Sequence, residues 1–421
     1  MKRLRLRNIA LVFTSNVDKV IDPEENAVRL CNYVDVYKNN FIDNEMSFSA
    51  GSATNEEIKK FQLRTDDVVI TKDSETRHDI GIPALVKTSS DDLICGYHLS
   101  ILRAHRGIMI GSFLYWHLLS KPTQEEFGNA ANGVTRFGLT LGGIKGTPIN
   151  VPDLPTQRAI ADFLDRETAR IDLLIEKKKR FLSLLTERET NFIGGVLIGD
   201  SIASSSRKRG NALWLQNVPQ RWDVVPLRYL VRIRTGSRDS KDREDDGLYP
   251  FFVRSMTIER INTYSFDEEA VLTSGDGAGV GNVFHHINCK FELHQRMYAF
   301  TDFERVTGRY FYYFLRTFFS QQMTQWSAKS TVDSVRMPFL KTLRITVPPH
   351  EEQVRIIEII EERAERDKHI RSMTLETIDR LREYRSALIT AAVTGQIDVT
   401  KWAKAGTADC KLDAVQATIN A

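Results

Sequence analysis

The sequence predicts an α+β protein: two tandem α/β modules, each followed by one long helix, with the two helices paired as a coiled coil. Three observations carry this. First, Val151-Pro152-Asp153-Leu154-Pro155-Thr156-Gln157-Arg158-Ala159-Ile160 recurs without a gap as Val347-Pro348-Pro349-His350-Glu351-Glu352-Gln353-Val354-Arg355-Ile356, an offset of 196 residues. The register then holds: Phe163 and Leu164 fall on Ile359 and Ile360, Leu185 on Leu381, Leu197 on Val393 and Gly199 on Gly395. Second, each repeat is preceded by the same order of strand, polar loop and aromatic helix. Third, both repeats open a long 4-3 spacing of mainly apolar residues, the mark of a coiled-coil seam. A period this long exceeds the roughly 20–50 residues of a solenoid unit and indicates duplication of a whole module.

Each element follows in order. Val68-Val69-Ile70-Thr71 reads as a short β-branched strand, followed by a polar loop from Lys72 to Gly81. Ser112 to Leu119 reads as a buried aromatic helix, and Ile144 to Val151 as a strand entering a proline turn. In the second half, Ala270-Val271-Leu272-Thr273 matches the first strand and leads into a glycine-rich loop ending at Gly281. Tyr310 to Leu315 matches the aromatic helix, and Leu340 to Val347 the last strand. Proline before a helix and Thr156 as N-cap place the first long helix near Gln157. Its seam runs through Leu164, Thr168, Ile171, Ile175, Lys178, Leu182, Leu185, Glu189, Phe192 and Val196. About 40 residues at ~1.5 Å each make a rod on the order of 60 Å. The second rod, 352 to 393, keeps Ile360, Ala364, Ile378, Leu381, Leu388 and Ala392 but sets Asp367 and Arg371 in its seam. Polar seam residues fix register at a cost in stability. A coiled coil that dimerises between chains is the alternative, but two equivalent rods in one chain pair more readily with each other. The expected boundaries are a first module at 1–153, first helix at 154–199, linker at 200–215, second module at 216–348, second helix at 349–399 and a tail at 400–421. The linker holds Arg207-Lys208-Arg209 beside a serine run, read as a solvated flexible segment.

Composition excludes more than it selects. The 421 residues exceed one core at roughly 100–200 residues per domain. Hydrophobic residues at 42% and charged residues at 27% are ordinary for a soluble globular protein, and a formal charge of +3 permits a polyanionic partner without demanding one. Cys31, Cys95, Cys289 and Cys410 are isolated in sequence, which speaks against a disulfide framework or structural zinc and makes the cytoplasm the expected location. No run approaches 18 apolar residues. Gly275-Asp276-Gly277-Ala278-Gly279-Val280-Gly281 lacks the third glycine of a dinucleotide fingerprint, so its glycines are read as permitting close backbone approach. His285, His286 and His294 lack carboxylate or thiolate company at ligand spacing. Phosphate-loop, zincin and nucleophile-elbow motifs are absent, as is an Asn-Pro-Pro-aromatic or Asp-Pro-Pro-aromatic segment. The expectation is a noncatalytic chain.

Pro-x-Leu-Pro-x-Gln-Arg-x-Ile-Ala at 152 to 161 and Pro-Pro-x-Glu-x-Gln-x-x-Ile-Ile at 348 to 357, each opening a long helix, resemble the specificity subunit of type I restriction-modification systems. The segments Val218 to Leu227 and Leu388 to Val399 are similar to that family's lead into a target recognition domain and its exit from the second helix. Leu4-Arg5-Leu6-Arg7 lacks the Pro-x-x-Trp lead-in of 219 to 222, which leaves the fit of the first edge strand open. The resemblance implies that each module is a target recognition domain reading half of a bipartite, asymmetric DNA site, with the helices an antiparallel coiled coil that sets the spacer. It also implies two methyltransferase subunits carrying S-adenosylmethionine, and two restriction endonuclease subunits whose ATP and Mg2+ are likewise expected outside this chain. The alternative is a two-domain coiled-coil scaffold that binds only proteins.

Readout side chains normally sit on loops that follow strands. The expected DNA-binding residues are Lys72, Arg77, His78, Thr135 and Arg136 in the first module. In the second they are Arg234, Arg238, Lys241 and Arg243, which crowd one polar loop, and Lys329, Ser330, Thr331 and Arg336 in the segment equivalent to 133 to 140. Arginine suits guanine edges, whereas lysine and hydroxyls more often position phosphates. For any one of them a solvated surface charge is the competing account.

Overall fold

The computed structural model describes residues 1–200, 206–208, 218–326 and 334–399. They form two compact units: residues 1–178 with the chain from 376 onward, and residues 179–375. Each unit therefore holds one mixed module and a half of each long helix, Leu154–Leu197 and His350–Thr394.

In the first unit a five-stranded sheet runs in the order Ala10–Thr14, Leu99–Ala104, Val68–Thr71, Pro83–Val86 and Phe41–Ile42. Val68 to Ile70, Ala84 to Val86 and Leu99 to Leu102 are all buried, as expected of strands covered on both faces. A second sheet joins Ser49–Ala53, Asn26–Cys31 and Leu93–Cys95. Here Cys31 and Cys95, distant in sequence, become direct ladder partners, yet both are free thiols whose pKa burial pushes up. In the second unit six strands run in the order Arg232–Thr235, Met297–Thr301, Phe266–Ser274, Phe284–Leu293, Tyr249–Phe252 and Ile258–Ile261. Tyr310, Phe311 and Phe314 from the Gly308–Trp326 helix join Val271, Phe284 and Phe300 in its core.

The duplication extends to register. Lys2–Arg5 pairs antiparallel with Pro148–Val151, and Asp223–Pro226 with Arg344–Val347; Lys2 faces Val151 just as Asp223 faces Val347. The first edge strand thus docks without the lead-in. In the second unit that lead-in anchors the helix start: the buried Trp222 donates from Nε1 to Glu352 Oε2 at 2.8 Å. Ladder partners also correct the matched central strands by one residue. Val68 lies opposite Leu102 and Val271 opposite Phe300, so Val68 corresponds to Val271 rather than Ala270. The aromatic helices differ in length because Gly111–Leu118 stops before Lys121–Ala130, which has a proline in its first turn, while Gly308–Trp326 meets no proline.

Both long helices begin earlier than their spacing predicts. The first starts at Leu154 because Asp153, not Thr156, is the cap: the Thr156 N–H donates to Asp153 Oδ1 at 3.0 Å, leaving Pro155 in the first turn where no donor is needed. Gln157 is fully buried. Its Oε1 accepts from Ile110 N–H at 2.9 Å while Nε2 donates to the carbonyls of Ile108 and Pro152 at 2.8 and 2.9 Å. Gln353 repeats this with Thr307 N–H, Arg305 O and Pro348 O at 2.8, 2.8 and 3.0 Å. The repeated phrase is therefore a clamp that satisfies the backbone leading into each aromatic helix.

The seams are buried where the spacing places them, at Thr168, Ile171, Ile175 and Leu185 on one helix and Ile360, Asp367, Ile378, Leu388 and Ala392 on the other. In the second unit Phe192 meets Arg363 whereas Arg188 meets Asp367 and Glu189 meets Arg371, so the helices run antiparallel. In the first unit Asp172 pairs with Arg385 at 2.9 Å. Asp367, 1% exposed, is held by Arg363 at 3.0 Å and Arg188 at 3.3 Å. Both arginines reach solvent, so the cost of Asp367→Ala should fall below that of a fully buried broken pair, at about 1–3 kcal/mol. Asp367→Leu, which makes the seam apolar, should recover most of it. Equal losses for the two variants in urea unfolding would contradict this account.

Candidate nucleic-acid interface

In the first unit the strand Val68–Thr71 runs into the 72–81 loop, whose Asp73–Ser74 pairs with Phe137–Leu139, itself paired with Ala131–Asn132. Thr135 and Arg136 at the tip of this ribbon line one groove with Asp73 to Thr76, while Arg77 and His78 line a separate one with Lys121, Gln124 and Glu125; all of the expected residues here are exposed except the half-buried Lys72. Arg77 lies over the Phe137 ring at 5.2 Å and Lys72 over Tyr97 at 5.0 Å, so aromatic faces orient both cations. The tip turns at Gly133, φ +138°, where a Cβ would stand 1.9 Å from the Arg136 carbonyl. Only glycine permits that turn, which leaves Val134, Thr135 and Arg136 projecting. Tyr33, Tyr37, Asp73, Asp79, His98 and Arg136 line a groove of about 1000 Å³ beside it. The Tyr37 hydroxyl donates to Asp79 at 2.7 Å, which raises its pKa, and Asp73 meets His98 Nδ1 at 2.5 Å.

The second unit carries the same backbone. Lys72 N–H donates to His98 O and Leu139 N–H to Lys72 O, at 3.0 and 2.7 Å; Gly275 N–H donates to Arg296 O and Val335 N–H to Gly275 O, at 2.8 and 2.7 Å. Asp73 pairs with Gly138, and Asp276 bridges to Ser334, again 196 residues on. The glycine-rich loop thus corresponds to the 72–81 loop of the first unit. A Cβ at Gly275 would stand 2.9 Å from Arg296 O, and one at Gly279 2.8 Å from Arg254 O; the close backbone approach is to these two arginines. Asp276 accepts from Nη1 of both, at 3.0 Å each. The adjoining His294 is buried, which together with Arg254 lowers its pKa, and its Nδ1 accepts from Arg296 N–H at 3.0 Å.

The residues expected from sequence fare unevenly in the second unit. Arg234 is not on the loop: it lies in the strand Arg232–Thr235, paired with Glu268, bonded to Thr301 Oγ1 at 3.1 Å and stacked on Phe266. Its charge is neutralised on the sheet because a strand position two residues before the turn projects onto a face. Arg238 leaves its strand as expected and stands beside the 294–296 turn, where Gln295 N–H donates to its carbonyl at 2.8 Å. Its side chain bonds Thr263 at 3.2 Å and lies 3.7 Å from the buried Glu292. Lys241 and Arg243 are exposed, the latter 3.7 Å from Glu259, and the Lys241 N–H holds the Asp239 carboxyl below its usual range. Arg336 is exposed at the cap of Met337–Leu340. Lys329, Ser330 and Thr331 lie outside the described residues.

Arg254 and Arg296 escaped the sequence reading. Their signal was the aspartate after each loop's first residue, Asp73 and Asp276, but the offset relating them is visible only through the sheet ladders. Among the described residues, no group of three metal-ligating side chains gathers anywhere, and no helix is long and apolar enough to cross a membrane.

Two copies of one loop geometry stand in one chain, and a sequence comparison decides the family. The type I restriction modification DNA specificity domain matches residues 23–181 and again 219–371. The chain belongs to that family. It is 26% identical over 180 residues to the type I restriction enzyme EcoDI specificity subunit of Escherichia coli, a match covering 43% of this chain and 39% of that relative. A solved type I R-M system chain, from work on complex assembly and conformational transition, superposes at a TM-score of 0.65 and 18% identity, covering 93% of this chain and 97% of the other. The HsdS subunit of Thermoanaerobacter tengcongensis gives 0.51 at 18% identity over 94% and 97%. These structural likenesses show the fold: tandem mixed modules, each followed by a long helix.

Proposed function

We propose that this chain is the noncatalytic DNA-specificity subunit of a type I restriction-modification complex, reading a bipartite asymmetric site with one module per half. The carrying observation is the family match to both modules, each of which presents a loop end bearing exposed basic side chains. The seam, stiff by its 4-3 packing, acts as the ruler for the unread spacer. Methyltransferase and endonuclease subunits dock on this chain and bring S-adenosylmethionine, ATP and Mg2+ with them; the complex works in the cytoplasm. Two weak half-site interactions on one frame combine into a strong one that depends on spacing.

The test uses the chain assembled with its methyltransferase partner. Binding to its own site should exceed binding to random duplex by about 10³-fold or more and weaken steeply with salt. Exchange of residues 1–150 for another member's first module should change one half-site in the methylome and leave the other intact. Binding without sequence dependence would favour the protein-scaffold alternative, and alteration of both half-sites would end the idea of independent readers.

A further inference from the structure

The geometry points to the Arg254–Asp276–Arg296 cluster as the guanine-reading site of the second unit, a step that rests on the function proposed above. Main-chain hydrogen bonds around Asp73 and Asp276 are the same in both units, and the aspartate is the same, but its partner is His98 in one and Arg296 with Arg254 in the other. A constant scaffold bearing a variable side chain is what two readers of different half-sites require. One carboxylate, Asp276, serves both guanidinium groups. The side chains of Arg254 and Arg296 are 39% and 57% exposed, within reach of a ligand.

Orientation makes this a reader rather than a general anion site. Asp276 takes Nη1 of each arginine, which tethers one corner of each guanidinium and leaves the Nε–Nη2 edge as a two-donor fork. That fork matches O6 and N7 of guanine in the major groove, the commonest specific contact arginine makes. Asp276 is then the positioning residue, and the glycines at 275 and 279 set both arginine backbones against it. At the equivalent place His98, with Nδ1 held by Asp73, presents only Nε2 and makes one bond instead of two. The two units should therefore read different bases at equivalent positions.

The experiment selects bound sites from a randomised duplex library with the full chain assembled on its methyltransferase partner. It compares wild type with Arg254→Lys, Arg296→Lys and the double variant. Lysine keeps the attraction to phosphate but loses the fork. The expected result is a guanine in the half-site read by the second module whose discrimination falls about 5- to 150-fold in the double variant, the other half-site being unchanged. Asp276→Asn should relax the same base more mildly. A double variant that selects the wild-type bases, with or without loss of overall affinity, overturns the inference while the functional reading survives. A wild-type complex that selects no sequence at all overturns the functional reading itself, and this inference with it.

Discussion

Gln157→Ala is expected to destabilise the first unit by about 3–5 kcal/mol, and Gln353→Ala the second by as much. Each side chain is wholly buried and makes three hydrogen bonds to main-chain atoms. Truncation removes the partner of one N–H and two carbonyls, and because these bonds are mostly part-buried each costs about 1 kcal/mol, the low end for a lost partner; the cavity left in place of the side chain adds the rest. Glutamate is no substitute, because a carboxylate cannot donate to the two carbonyls. Urea unfolding gives the magnitude, and hydrogen exchange gives the location. Gln157→Ala should expose the Ile110 amide and spare Thr307, and Gln353→Ala should do the reverse. A loss under about 1 kcal/mol would falsify the clamp.

The second large effect depends on pH and resides in His117. Its ring is 4% exposed; Nδ1 lies 3.0 Å from Thr123 Oγ1, and Nε2 accepts the Asn150 N–H at 3.1 Å. Nε2 can accept only while it carries no proton, so the Nδ1 tautomer is the folded form. Burial lowers the pKa from 6.5 to about 4. Above pH 6.5 the ring is neutral in folded and unfolded chains alike, and the full stability is present. Between 6.5 and 4 the unfolded chain binds a proton that the folded chain refuses, so stability falls as pH drops. Below 4 both forms are protonated and the loss is complete, at about 3 kcal/mol, some 2 of it already gone at pH 5. His117→Gln keeps an acceptor for Asn150 without titrating. Its unfolding free energy should change less than that of wild type between pH 7 and 5, by about 2 kcal/mol, and parallel curves would rule out His117 as the source.

What could be read from the chain alone was what repeats or is periodic. A duplicated ten-residue phrase shows itself without any knowledge of contacts, and a 4-3 pattern specifies a buried stripe because helix geometry is local. Both modules, both helices and the polar seam at Asp367 and Arg371 follow from that, and so does the family. Positions set by pairing between distant strands did not. The helix start moved to Leu154, capped by Asp153, because capping depends on which side chain turns back to the amides, not on where proline stands. Gln157 and Gln353 looked like motif letters until Ile110 and Thr307 arrived beside them. Arg234 was expected on a loop, but ladder register put it on a sheet face against Glu268, while Arg254 and Arg296, 42 residues apart in sequence, met at Asp276. Tertiary structure alone decided these points, since a one-residue change of register moves a side chain to the opposite face of a sheet, and no local pattern in the chain records which strand will lie alongside.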